Sequence, residues 1–249
     1  MRLYDTHCHF ESCNENDVLE ILLRAKEAGV ESLVAIGGSE ELNKAAVFAE
    51  RVASEHEGTP SVRCAVGYDR DQIGKARIEI PPSVTPIAWG EIGLDYYYSA
   101  DTREKQLELF AHELEEARSR NLPVIIHTRE ADDDTLALLR EIPSRGIIHC
   151  YTGTPESARA FLDAGFYISF SGIITFRLAD NVRAAAAVVP NDMLLIETDS
   201  PFLAPIPMRG KKNEPAYIRH TAEFIAKARG MSLEAFAELT YANAERAFS

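Results

Sequence analysis

Apolar runs of four to eight residues alternate with longer stretches of helical period from one end of the 249-residue chain to the other. The runs predict eight strands, at residues 2–6, 30–36, 61–66, 86–91, 124–127, 146–149, 166–169 and 193–197. Between them the pattern predicts helices at 15–28, 40–55, 102–120, 132–141, 155–164, 178–188 and 215–228, and 232–248 adds an amphipathic helix packed on the outside. Only the connection between the third and fourth strands, with Pro81, Pro82 and Pro86, is helix-poor. Asp101 or Thr102 can cap the 102–120 helix, and Pro155 suits a first helical position after Thr154. Gly29, Gly165 and Gly230 stand where the chain must turn out of a helix. No repeat, low-complexity segment or linker divides the chain, so one domain over 1–249 is expected. Eight β/α units in about 250 residues is the rhythm of a (β/α)8 TIM barrel, here with an additional C-terminal helix. A doubly wound open sheet shares the alternation, but the strand count favours the barrel.

Composition narrows the function. With 26 Lys and Arg against 39 Asp and Glu, the net charge is −13, which argues against a broad basic face for long duplexes. The longest uncharged run, 164–176, has 13 residues and excludes a membrane span. Residues 1–7 lack the apolar stretch of a secretory signal, and Cys8, Cys13, Cys64 and Cys150 are too few and scattered for a disulfide framework. A cytoplasmic setting is expected, with no membrane and no obligate protein partner.

The chemistry gathers at predicted strand ends. The first strand leads into Asp5-Thr6-His7-Cys8-His9, and on an extended backbone His7 and His9 share a face while Cys8 points away. Glu91 closes the fourth strand, His127 the fifth and His149 the sixth, and Asp199 follows the eighth. These six groups would share the rim where barrel active sites are built. Six nitrogen and oxygen ligands without cysteine suffice for two divalent ions sharing one carboxylate. His56, His112 and His220 lie on charged helical stretches and are expected to face solvent. Arg129 stands two residues beyond His127. Residues 209–219 hold Arg209, Lys211, Lys212 and Arg219 against Glu214 alone, a cationic loop suited to an anionic substrate such as phosphate. Tyr151, just after His149, could contact a base or sugar.

Read together, Asp5-Thr6-His7-Cys8-His9, Gly90-Glu91-Ile92-Gly93-Leu94-Asp95-Tyr96-Tyr97, His127-Thr128-Arg129, His149-Cys150-Tyr151-Thr152-Gly153, Glu197-Thr198-Asp199-Ser200-Pro201 and Arg209-Gly210-Lys211-Lys212-Asn213-Glu214-Pro215 resemble the TatD family of metal-dependent hydrolases, in order and across most of the chain. The resemblance implies a TIM barrel, two divalent metals and deoxyribonuclease activity, often 3′ exonucleolytic. Carried over by position, His7, His9 and Asp199 would hold one metal, His127 and His149 the other, and Glu91 would bridge them. Two positions depart from the family's pattern. Met208 stands where a histidine usually precedes Arg-Gly-Lys, and Tyr151 where Phe is frequent.

The expected reaction is phosphodiester hydrolysis at a metal-activated water, the metal being Zn, Mn, Mg or Ni. Asp199 would act as general base, and Arg129, Arg209 and Lys211 would hold phosphates. Asp5, Asp95 and Glu197 would orient ligand imidazoles. The acidic chain must grip locally, which favours DNA strand ends or short single strands. The rival readings are an amide, lactone or ester hydrolase or aminoacyl-tRNA deacylase with the same metals, and a metal-bearing interaction module without activity.

Overall fold

The computed structural model describes residues 1–75 and 78–249. The first half runs β1 (Leu3–Cys8), α1 (Glu15–Glu27), β2 (Val30–Gly38), α2 (Glu40–Glu55), β3 (Ser61–Tyr68), β4 (Ala88–Asp95), α3 (Tyr96–Ser99) and α4 (Arg103–Ser119). The second runs β5 (Val124–Arg129), α5 (Asp132–Glu141), β6 (Gly146–Ile148), α6 (Pro155–Asp163), β7 (Tyr167–Phe170), α7 (Asp180–Val188), β8 (Leu194–Ile196), α8 (Ile218–Ala228) and α9 (Leu233–Ala247). All eight expected strands are present. Between β3 and β4 the described residues hold only the single 3-10 turn Arg70–Gln72.

Several helix starts are written in local chemistry. Asn14 and Asp17 cap α1 reciprocally, while Ser39, Thr154 and Ser232 each accept from the backbone N–H three residues on. Caps of this kind stabilise a helix by about 1 kcal/mol. The expectation at 102–120 does not hold: α4 has no side-chain cap, because Thr102 Oγ1 donates to Ser99 O instead. Gly29, Gly165 and Gly230 do turn out of helices with positive φ.

Every strand pairs in parallel with its successor in the order β1 to β8. Return from β8 to β1 is made by a bridge between Cys8 and Ser200, by Asp199 N–H donating to His7 O at 2.9 Å and by His9 N–H donating to Ser200 O at 2.7 Å. The sheet is therefore a nearly closed (β/α)8 barrel, not an open one. No helix among the described residues is long and apolar enough to cross a membrane.

Side chains alternate as the strand period requires. Leu33, Val124, Ile126, Leu194 and Ile196 pack outward under the helices, while Val34, Ile36, Ile125, Ile147 and Leu195 fill the barrel. The C-terminal helix was expected on the outside, and its inner edge is not there. Tyr241, Ala244, Ala247 and Phe248 join the interior cluster, with the Tyr4 ring 5.4 Å from Tyr241 and 5.9 Å from Phe248. The Tyr241 and Ser32 hydroxyls are 2.8 Å apart near the starts of β1 and β2. Thus α9 closes the barrel floor, which confines access to the opposite, carboxyl-end mouth.

Candidate metal centre at the barrel mouth

Two slips of strand register aim the acidic and imidazole groups. Opposite β2, Asp5 pairs with Leu33 but Cys8 with Ala35, so β1 carries one extra residue. Leu3 and Cys8 both pack outward and Tyr4 inward. Unbroken alternation from Tyr4 would send His7 out, and the bulge turns it into the mouth. β4 repeats the device. Gly90 pairs with Ile125 and Ile92 with Ile126, so Glu91 is the extra residue; Trp89 and Ile92 both pack outward. Glu91 was expected to close the fourth strand, yet it lies inside it, because the strand continues to Asp95 beyond the bulge. Gly93 is required just here: a Cβ on it would lie 2.0 Å from His127 O, and its φ is +145°.

The bulged carboxylate stands between two imidazole pairs. His7 Nε2 and His9 Nε2 are 3.1 Å apart, at 3.4 and 3.8 Å from Glu91 Oε2. His127 Nδ1 and His149 Nε2 are 3.3 Å apart, each 3.2 Å from Glu91 Oε1. Asp199 Oδ1 completes the first group, 3.7 Å from His7 Nε2 and 3.6 Å from His9 Nε2. Asp199 reaches this point from a left-handed backbone conformation, φ +54°, that aspartate tolerates better than most side chains. His7, Glu91 and His149 are buried, whereas His9, His127 and Asp199 keep partial exposure and open the group to solvent.

Outer partners fix the rings. Asp95 Oδ2 is 3.1 Å from His127 Nε2, and Glu197 Oε1 is 3.3 Å from His149 Nδ1. Asp5 does not follow the expectation, since it touches no imidazole. It accepts from Thr198 N–H at 2.9 Å and from Thr198 Oγ1–H at 2.6 Å, so it locks β1 to the residue before Asp199. Burial pushes the Asp5 carboxyl up to about 7, against those hydrogen bonds. Burial alone would also raise Glu91, but the charge of His149 and hydrogen bonds from His127, His149 and His7 hold it well below its usual range. Asp199 is likewise held low by His9 and His7 against its burial.

Four carboxylates therefore converge on four imidazoles, and a set so rich in buried negative charge needs cations to be stable. The donors are all nitrogen and oxygen, two imidazole pairs face one carboxylate, and three-residue groups drawn from this set lie within 4.8 Å of one another. The residues fit divalent metal.

One cation at the site is not singled out by the sequence pattern. Arg70, just past β3, pairs with Asp69 and stands 3.5 Å from Glu91 Oε1 and 3.6 Å from Asp95 Oδ2. The signal was a basic residue after a strand, hidden because β3 runs two residues beyond the expected 61–66.

The expected substrate contacts fare unequally. The Arg129 guanidinium lies on the mouth side of β5, 3.9 Å from the ring centre of Tyr97. Arg209 and Lys211 are exposed on the loop after β8, with Arg209 over the Phe176 ring at 4.0 Å. Tyr151 is withdrawn from the surface. It is 2% exposed, packs edge-on against Phe161 and Phe170, and its hydroxyl donates to Thr154 O at 2.9 Å. It belongs to the core under α6. Of the remaining histidines only His112 is exposed; His56 and His220 are half-buried.

Comparison with known proteins finds relatives over nearly the whole chain. A family model described as TatD related DNase matches residues 4–249. The metal-dependent hydrolase YcfH of Escherichia coli K12 is 40% identical, with 100% of this chain and 96% of that protein covered. A protein of Cronobacter sakazakii named 3′-5′ ssDNA/RNA exonuclease TatD is 32% identical over 94% of this chain and 92% of its own length. Among solved structures, the TatD homologue YjjV of Escherichia coli superposes with a TM-score of 0.84 at 26% identity, covering 97% of this chain and 95% of the other.

Proposed function

The chain belongs to the TatD family of metal-dependent hydrolases, and from that membership together with the geometry of the mouth we propose that it hydrolyses phosphodiester bonds at a dinuclear site, acting on DNA strand ends or short single strands. One observation carries the reading: each oxygen of Glu91 faces a separate imidazole pair. Glu91 would bridge, His7, His9 and Asp199 would hold one ion, and His127 and His149 the other. Ions held there would supply positive charge beside the phosphate and lower the pKa of a water toward ~7.

The chain's own residues do the rest. Asp199, kept ionised by the imidazoles beside it, accepts the proton of the attacking water at its carboxylate. Asp95 and Glu197 hold His127 and His149 at fixed orientation. Arg70 stands beside Glu91, where it can meet a nonbridging oxygen as charge develops on phosphorus. Arg129, at the mouth end of β5, and Arg209 and Lys211, on the loop after β8, bind flanking phosphates. Binding is local because the chain as a whole is acidic, with a net charge of −13, and a reducing cytoplasmic setting suits the free thiols of the four cysteines.

The test is turnover of end-labelled single-stranded DNA, duplex DNA and RNA with Zn, Mn, Mg and Ni at two salt concentrations. Shortening from one end, strongest on the single strand and falling steeply with salt, is expected. Ester or lactone hydrolysis with no diester cleavage under any metal would overturn it.

A further inference from the structure

Of the seven large apolar side chains that are exposed among the described residues, Tyr97 and Tyr98 lie on α3 directly after β4, and Leu178, Phe202 and Ile206 on the loops after β7 and β8, so the exposure is concentrated at the mouth. Two of these side chains, the tyrosines, stand side by side. Their ring centres are 4.8 Å apart with planes at 88°, and the Arg129 guanidinium sits in the corner, 3.9 Å from one centre and 4.8 Å from the other. Tyr97 is nevertheless 54% exposed and Tyr98 69%. A tyrosine placed for the core would bury its ring, as Tyr151 does.

The pair is also tied to the metal centre. Asp95 Oδ1 accepts the backbone N–H groups of Tyr97 and Tyr98 at 3.0 and 3.1 Å, while its Oδ2 faces His127 Nε2 at 3.1 Å. One carboxylate thus sets both the ligand ring and the short helix that carries the tyrosines. Two open aromatic faces with a cation wedged between them match a nucleobase and its phosphate, since bases stack on such rings whatever their sequence.

We propose that Tyr97, Tyr98 and Arg129 form a stacking platform that takes an unpaired nucleobase next to the scissile phosphate, so that the enzyme selects strands by the availability of a free base. A paired end keeps its base inside the duplex stack and must first open. The inference rests on the phosphodiesterase reading for its substrate but is tested apart from catalysis.

The experiment titrates the metal-loaded protein with a phosphorothioate-protected single strand carrying 2-aminopurine at its terminal position, and with a matched strand abasic over its last three positions. Fluorescence of the terminal base should be quenched on binding. Tyr98→Ala and Tyr97→Ala should each weaken the base-bearing strand about 5- to 150-fold, the equivalent of about 1–3 kcal/mol per stacked base. They should leave the abasic strand's affinity within about twofold, and Tyr98→Trp should restore the quench. Equal weakening of both strands would make the tyrosines scaffolding and overturn the platform. So would a wild-type protein that binds both strands alike. If the strand binds and quenches as expected but its unprotected form is never cleaved, the hydrolysis reading fails while the platform stands.

Discussion

Asp95 and His127 face each other at 3.1 Å, Oδ2 to Nε2, on neighbouring strands whose residues 95 and 129 are in register. The carboxylate is held below its usual range, against its burial, by the hydrogen bond with His127 and by the Tyr98 N–H. Asp95→Asn keeps the shape but removes the charge that orients the imidazole. Metal affinity should drop about 10- to 100-fold, the usual effect of losing such a partner. Competition with a chelator of known strength measures it; unchanged affinity would mean that His127 is oriented by packing alone.

Tyr151 provides a test of opposite sign. Tyr151→Phe deletes the hydroxyl that meets Ser157 and Thr154 while leaving the ring in place. Urea unfolding should show a loss of about 1 kcal/mol, with KM unaltered. A raised KM in an equally stable protein would return this residue to the substrate.

Glu113 supplies a pH dependence away from the mouth. Its carboxyl is raised above the usual range by burial, although it accepts from the Trp89 indole at 2.8 Å and from Tyr68 N–H at 3.0 Å. A carboxyl whose folded pKa exceeds its unfolded one favours the fold when protonated, and that contribution fades as pH climbs from the unfolded value through the folded one. Glu113→Gln keeps an acceptor oxygen but does not titrate. Its stability relative to the parent should therefore increase between pH 4 and pH 7 in paired unfolding curves, and a difference that is flat or shrinks would refute the assignment.

Arg70 is expected to act on turnover more than on folding. Arg70→Ala removes a guanidinium beside Glu91 and Asp95, so kcat on a single strand should fall about tenfold or more, since charge meeting a developing oxyanion acts in the transition state. Arg70→Lys should recover part of the loss. A variant with full turnover would confine Arg70 to its pair with Asp69.

The eight strands, most helices and all six acid and imidazole groups were legible because period-two and helical patterns survive in a single chain, and because His149 and Asp199 lie just past strand ends; His127, expected to close β5, lies inside it, since the strand continues to Arg129. What failed to show were features decided by a partner strand. Nothing in Gly90-Glu91-Ile92 announces that β5 skips Glu91, and nothing in Asp5-Thr6-His7 announces the slip against β2. The inward turn of α9 was equally silent, since Tyr241 and Phe248 read as an amphipathic stripe until Tyr4 is found beneath them. Tyr151 reads as a rim residue because it follows a strand end and a candidate ligand, whereas its ring packs against Phe161 and Phe170.

Two ions joined through Glu91 are tested by following turnover of a single-stranded oligonucleotide as metal-free protein is titrated with Mn or Zn. Activity should rise with added metal and level at two equivalents per chain, and Glu91→Gln should both weaken the second equivalent and lower the plateau. Full activity at one equivalent, or a Glu91→Gln protein that loads two ions and turns over normally, would contradict the bridged pair.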